Sequence, residues 1–270
     1  MMRQRVGVLT AEGRGCWRGL LAPAFGVALV LVWDTTARAG LYARFILPPP
    51  QSVAERWWKL AESGALWRHT WVTLDEVLQG LLVGVLVAFV LGYLIAKSRA
   101  LASILTPYLV ALQAVPIVAI APLLIIWFGP GTTSKVIICA LLVFFPMLVN
   151  TVVGMRSIPP ELRDLMRALE ASPWQTFWHL ELPAALPVVL GGLKISATLS
   201  VIGAVVGEFV SASAGLGYLI NFGRGTYDTP LVIAAVFTLT GLALALYGLA
   251  AALEWGLLRW QRAQAHHVAH

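Results

Sequence analysis

Residues 77–96 run unbroken through apolar side chains, with Gln79 as the one strongly polar exception. About 20 such residues in a helix match the ~30 Å hydrocarbon depth of a bilayer. A helix is one of the few structures that satisfies every backbone group without water. Five further runs carry the same signal: residues 20–33, 101–128, 135–153, 184–210 and 231–253. Composition agrees, with 59% hydrophobic residues and 12% charged, against about 25% charged in soluble domains. The expectation is an all-α integral membrane protein of about six transmembrane helices. Residues 1–19 would be an N-terminal tail, 20–260 the membrane domain and 261–270 a C-terminal tail.

Two runs need qualification. Residues 101–128 contain Pro107, Pro116 and Pro122, which break a helical hydrogen-bond ladder. Residues 20–33 are short, follow Arg3, Arg5, Arg14 and Arg18, and precede Ala37-Arg38-Ala39. They read as an uncleaved span or as the apolar part of a cleavable signal peptide; the uncleaved span is preferred. Neither choice alters the remaining topology.

The net charge of +6 does not point to nucleic acid. The basic residues are scattered through short loops, where they act as topology signals. With six spans and an internal N-terminus, eleven Lys and Arg fall inside and seven outside, Lys194 lying within a span. That bias orients both termini and residues 156–182 towards the cytoplasm, and residues 38–68 outside. Cys16 and Cys139 are the two cysteines, too few for a metal set. His266, His267 and His270 read as a solvated terminus. No cofactor is expected, and no Gly-x-x-x-x-Gly-Lys-Ser/Thr nucleotide loop occurs. Uphill transport would therefore draw on an ion gradient or a separate ATPase.

Inside the spans, Gly80, Gly84, Ala88 and Gly92 recur every four residues, and Gly248, Ala252 and Gly256 repeat the device. Such stripes let helix backbones approach closely, within the subunit or across a dimer. Residues 129–131, 215–217 and 223–225 are glycine-rich turn signals. Three prolines at 48–50 precede a short amphipathic helix over residues 52–63 bearing Trp57 and Trp58, suited to a membrane interface. Asp75 and Glu76 open the second run as acids at a helix start.

A charge in a span faces protein or water. Lys194 and Glu208 share one run but stand about 21 Å apart, so they do not pair with each other. Lys194 either snorkels to the inner surface or lines a path. Glu208 lines a path or outer gate, or pairs with Arg224 or a neighbouring helix. Gln113 and Asn150 are the other polar candidates for a translocation path.

The segment after Pro159-Pro160 differs in kind. Residues 161–169 fit a short helix with Glu161 and Asp164 early in it. Ser172-Pro173-Trp174-Gln175 restarts a helix, with Ser as N-cap, Pro at the first position and Gln completing a capping box. A break at Glu170-Ala171 separates the two, and Leu182-Pro183 leads into the next span.

This segment resembles the "EAA" loop of binding-protein-dependent ABC importer permeases, a pattern of Glu-Ala-Ala, three residues, Gly, and later Leu-Pro. Asp164-Leu165-Met166 fall on Glu-Ala-Ala, Glu170 on Gly and Leu182-Pro183 on the last pair; the spacing matches, while Ala-Ala and Gly do not. Ala121-Pro-Leu-Leu-Ile-Ile-Trp-Phe-Gly129, Phe144-Phe-Pro-Met-Leu-Val-Asn150 and Pro183-Ala-Ala-Leu-Pro187 are similar to the nitrate/sulfonate/taurine/bicarbonate branch. So are Gly207-Glu208-Phe209, Gly215-Leu-Gly-Tyr-Leu-Ile220 and Asp228-Thr-Pro-Leu231. Together they cover residues 47–260.

The resemblance implies a type I ABC importer permease fold in a bacterial inner membrane. It implies a homodimer with two cytosolic ATPase copies and an extracytoplasmic solute-binding protein. The permease itself would perform no bond chemistry. Asp164, Leu165, Met166, Leu169, Glu170, Ala171 and Ser172 would form the coupling loop seated on the ATPase. Solutes of this branch are small anions, with pyrimidine thiamine precursors and riboflavin in close relatives. A pair of Glu208 carboxylates at an outer mouth would favour a neutral or aromatic solute. Two other readings stay open: a gradient-driven carrier using Glu208, and a structural membrane subunit. A Glu in a backbone position that suits Gly costs about 1–2 kcal/mol, so the loop either turns differently or holds strain.

Overall fold

The computed structural model describes residues 15–43 and 45–259, with side chains from residue 23 onward. The expected N- and C-terminal tails, the His266–His270 cluster and the Cys16 side chain lie outside it. Described residues are helical or in short connections. In order they form α1 (Gly15–Arg38), α2 (Pro50–Glu62), α3 (Ala65–Lys97), α4 (Arg99–Gln113), α5 (Ile117–Phe128) and α6 (Thr132–Arg156). Then come α7 (Pro160–Ala168), α8 (Pro173–Thr176), a π-turn (Phe177–Glu181), α9 (Leu182–Ser211), α10 (Leu216–Gly225) and α11 (Thr229–Leu257).

Four helices are long and apolar enough to cross a membrane: Ala65–Lys97, Thr132–Arg156, the continuous Pro173–Ser211, and Thr229–Leu257. α4 and α5 pass the same test as a pair bent by 96°, which gives a broken span or a re-entrant loop. Among the described residues the count is thus five at most, with α1 outside it. Of the three prolines expected to break residues 101–128, Pro116 marks the bend, as the extended residue before α5. Pro107 and Pro122 sit inside helices.

α3 begins twelve residues before the apolar run that announced it. Asp75 and Glu76 are therefore mid-helix rather than N-terminal acids. Glu76 is buried, and its Oε1 accepts from Lys135 Nζ of α6 at 2.6 Å. Lys135, at the start of the 135–153 apolar run, is buried in the first turn of α6. Polarity here reflects tertiary pairing, not exposure to water.

The core is α6 held between α3 and α9. Gly80, Gly84, Ala88 and Gly92 are all buried in α3. An ideal Cβ at Gly84 would lie 2.8 Å from the Ala140 carbonyl, and one at Gly92 2.8 Å from Thr151 Cβ. The other face of α6 meets α9 just as closely: a Cβ on Gly203 would stand 2.7 Å from Cys139 Cα. Close backbone approach replaces the hydrophobic drive that lipid cannot supply. Gly248 and Gly256 of α11 have nothing within 4 Å of such a Cβ, so that stripe packs on nothing within the described subunit.

α2 is the short helix expected over residues 52–63, begun two residues earlier with Pro50 at its first position. Trp57 donates to Thr238 of α11, and Arg56 bridges to Asp228 at 2.7 Å. Asp228 also N-caps α11 by accepting from Leu231 N. The glycines at 217 and 223–225, expected as turns, lie in α10; Gly129 and Gly215 do turn, with φ of 84° and 118°.

Candidate functional site

Two constellations stand out at opposite ends of α9. The first is the loop from α7 to the π-turn. Leu162, Leu165 and Leu169 are exposed on it, and α7 has no buried residue. Asp164 pairs locally with Arg167 at 2.8 Å. The helix then ends in a Schellman motif. Glu170 N donates to Arg167 O (2.9 Å) and Ala171 N to Met166 O (3.0 Å), the pair of bonds that closes a helix through a left-handed residue. That residue is Glu170, at φ 52°. The turn the spacing called for is present, made with Glu in a place that suits Gly.

The restart follows the sequence reading. Ser172 Oγ accepts from Gln175 N, and Gln175 Oε1 accepts from Ser172 N at 2.8 Å, a complete capping box. Trp174, Phe177 and Trp178 stack edge and face into one aromatic knot, with Trp174 and Trp178 exposed. Asp164, Leu165, Met166, Leu169, Glu170, Ala171 and Ser172 thus share one projecting helix–turn–helix. Two arginines fasten its base: Arg163 donates to Met155 O, and Arg156 to Ile95 O.

Sequence reasoning missed one member. Glu181, the last residue of the π-turn, is buried; it accepts from Lys97 Nζ at 2.5 Å and from the Tyr93 hydroxyl at 3.1 Å. Its signal was an acid immediately before Leu-Pro at a membrane entry, but its partners lie 84 and 88 residues away.

The second constellation surrounds Glu208. Its carboxylate is 1% exposed and faces the start of α10. Thr73 Oγ1 donates to Glu208 Oε1 at 2.6 Å, and Gly217 N–H donates to Oε2. Leu216 N donates to Thr73 Oγ1 (2.8 Å), and Gly215 N to His69 Nδ1 (3.0 Å). His69 stacks on Tyr218. Three consecutive N–H groups at the head of α10, which lack partners within their own helix, are capped by α3 and α9. A Cβ on Gly217 would come within 2.7 Å of Glu208 Oε2, so glycine allows the approach. Arg224 bonds instead to Asn221; the neighbouring-helix alternative is the one the geometry realises.

The four path candidates do not converge. Lys194 pairs with Glu254 of α11 at 2.6 Å. Asn150 donates to Pro146 O and packs against Gly192 at the α6–α9 contact. Gln113 alone lines open space, shared by two cavities of about 230 and 320 Å³ beside the α4–α5 bend. A third, lined by Trp127, Phe144 and Phe145, adjoins them, and Phe145 borders all three. Arg156, at the edge of the first, is the one charged residue lining them. Among the described residues no group of His, Cys, Asp and Glu could hold a metal ion.

These features describe a polytopic helical membrane protein with a projecting helix–turn–helix between α6 and α9. Residues 80–258 match the model of the binding-protein-dependent transport system inner membrane component, and the chain belongs to that family. It is 46% identical to the riboflavin transport system permease protein RibX of Chloroflexus aurantiacus, over 91% of each chain. It is 34% identical to the formylaminopyrimidine transport permease protein ThiX of Halalkalibacterium halodurans, over 92% of this chain and 98% of the relative. It is 31% identical to the taurine transport system permease protein TauC of Escherichia coli, over 87% and 84%. The relatives are transport permease subunits. In fold, an inward-facing MetNI methionine ABC transporter superposes with a TM-score of 0.63 at 18% identity, covering 74% of this chain and 99% of that one.

Proposed function

We propose that this permease works as a homodimer, with a cytosolic ATPase docked on each projecting loop and a solute-binding protein on the opposite face. Both termini and the loop face the cytoplasm of a bacterium, in keeping with the Lys/Arg bias. ATP hydrolysis belongs to the separate ATPase subunit. The observation that carries this reading is the Schellman turn at Glu170. It turns α7 into the next helix start and leaves Leu162, Leu165 and Leu169 as an apolar face that the subunit does not cover.

The solute is a neutral, flat heteroaromatic ring of the flavin or pyrimidine type. Identity is 46% to the riboflavin permease and 31–33% to the named sulfonate and taurine permeases. The cavities at the α4–α5 bend offer Phe145, Trp127 and the Gln113 amide, a lining suited to an aromatic ring with a few polar edges. A sulfonate would need desolvated charge to be paired, and Arg156 is the one cation at hand. Repulsion between Glu208 carboxylates does not enter the choice, because each carboxylate is turned onto the Gly217 N–H and the Thr73 hydroxyl. The same engagement of both its oxygens speaks against a proton-coupled carrier.

The test is uptake of radiolabelled riboflavin by proteoliposomes holding permease, ATPase and binding protein. Excess formylaminopyrimidine or unlabelled flavin should compete and taurine should not. Uptake of taurine in place of riboflavin would overturn the solute assignment.

A further inference from the structure

The π-turn does work that the docking surface does not explain. Helix runs from Pro173 to Ser211 without a break, although Pro183 has no N–H for the carbonyl of His179 and its ring crowds that carbonyl. The wider i→i+5 turn, with Leu182 N bonded to Phe177 O, absorbs the conflict. Single π-turns inside α-helices are frequent at functional sites. Here it also directs Glu181 sideways into α3, where Lys97 and Tyr93 hold it. Tyr93 meets Phe177 edge-on at 5.3 Å, and Lys97 Nζ lies over the Tyr93 ring at 5.5 Å.

A force on the loop therefore has two routes into the membrane domain. One is the unbroken helix into α9. The other is this clasp, which joins the last turn of α3 to the entry of α9. Without it, α9 could follow the loop while α3 stayed behind. We propose that Glu181 is a positioning residue of the coupling machinery: its buried carboxylate locks the end of α3 to the π-turn, so that α3 and α9 move with the loop as one body. The proposal rests on the reading of the loop as an ATPase dock.

The experiment places spin labels at Leu94 of α3 and Ala168 of α7, both exposed and neither among the residues assigned to the ATPase contact, with Cys16 and Cys139 replaced by alanine. A control pair sits at Val153 of α6 and Ile195 of α9, also exposed. Pulsed electron resonance is recorded on the reconstituted complex with its ATPase, with and without ATP plus vanadate. The intact protein should give one narrow Leu94–Ala168 distance in both states. Glu181→Gln and, separately, Lys97→Met should at least double its width, Lys97→Arg should restore it, and the control pair should not change. Unchanged Leu94–Ala168 distributions in both variants would overturn the proposal. So would equal broadening of the control pair, which marks general loosening. Retention of the ATPase on the affinity-purified permease is scored alongside. If the intact permease retains none while Glu181→Gln still widens the distance in the permease alone, the clasp stands and the docking reading falls.

Discussion

Glu170→Gly should stabilise the loop. At φ 52° a non-glycine residue carries about 1–2 kcal/mol of steric strain. Glycine removes that strain but adds about 0.5–1 kcal/mol of chain entropy in the open state. The net gain is of order 0.5–1 kcal/mol, a two- to fivefold shift in the local opening equilibrium. The reporting group is the Ala171 amide, bonded to Met166 O. Hydrogen exchange at that amide in the purified permease should slow by the same two- to fivefold. Glu170→Val, with a β-branched side chain in the same backbone state, should speed it. Unchanged or faster exchange in Glu170→Gly would refute the claim that the turn stores strain. The carboxylate has a separate task to be judged: Glu170→Lys should weaken co-purification of the ATPase, and Glu170→Gly should do so less. Normal recovery with both would remove any docking role for the side chain.

Further outcomes follow from packing at the opposite end and along the stripes. Glu208→Ala strands the Gly217 N–H in a buried site, at a cost of about 1–3 kcal/mol, while the Thr73 hydroxyl keeps the His69 carbonyl at 3.2 Å; thermal unfolding in detergent should show a loss, smaller for Glu208→Gln. Gly203→Ala drives a Cβ into the Cys139 backbone and should cost about 1–3 kcal/mol in the same assay. Gly248→Ala meets nothing and should leave the isolated subunit as stable or slightly more so. If Gly248→Ala instead weakens cross-linked dimer recovery, the α11 stripe lies at the subunit interface.

The loop was legible because its signals are local. Ser172, Pro173 and Gln175 act within one turn, and the spacing to Glu170 marks a reversal whichever residue fills it. Spans were legible from apolarity, but their ends were not. His69, Thr73 and Glu76 are polar side chains ahead of the apolar run, yet they are spent on Gly215, Glu208 and Lys135, so α3 starts earlier than that run. α10 was hidden for the same reason: its leading glycines look like a turn when the side chains that cap them belong to α3 and α9. Lys97–Glu181 and Lys194–Glu254 join residues 84 and 60 apart, beyond the reach of any periodicity. The π-turn arises from the conflict between a continuing helix and Pro183, which sequence shows only as a proline where a helix was expected to begin.

The central claim is that ATP hydrolysis at the docked loop drives transport. Riboflavin uptake should be followed in proteoliposomes of the assembled importer, with ATP present or depleted, and with or without a proton uncoupler. The account predicts uptake that stops when ATP is removed and is unaffected by the uncoupler. Uptake that persists without ATP and collapses with the uncoupler would contradict it and return Glu208 to the role of an ion site.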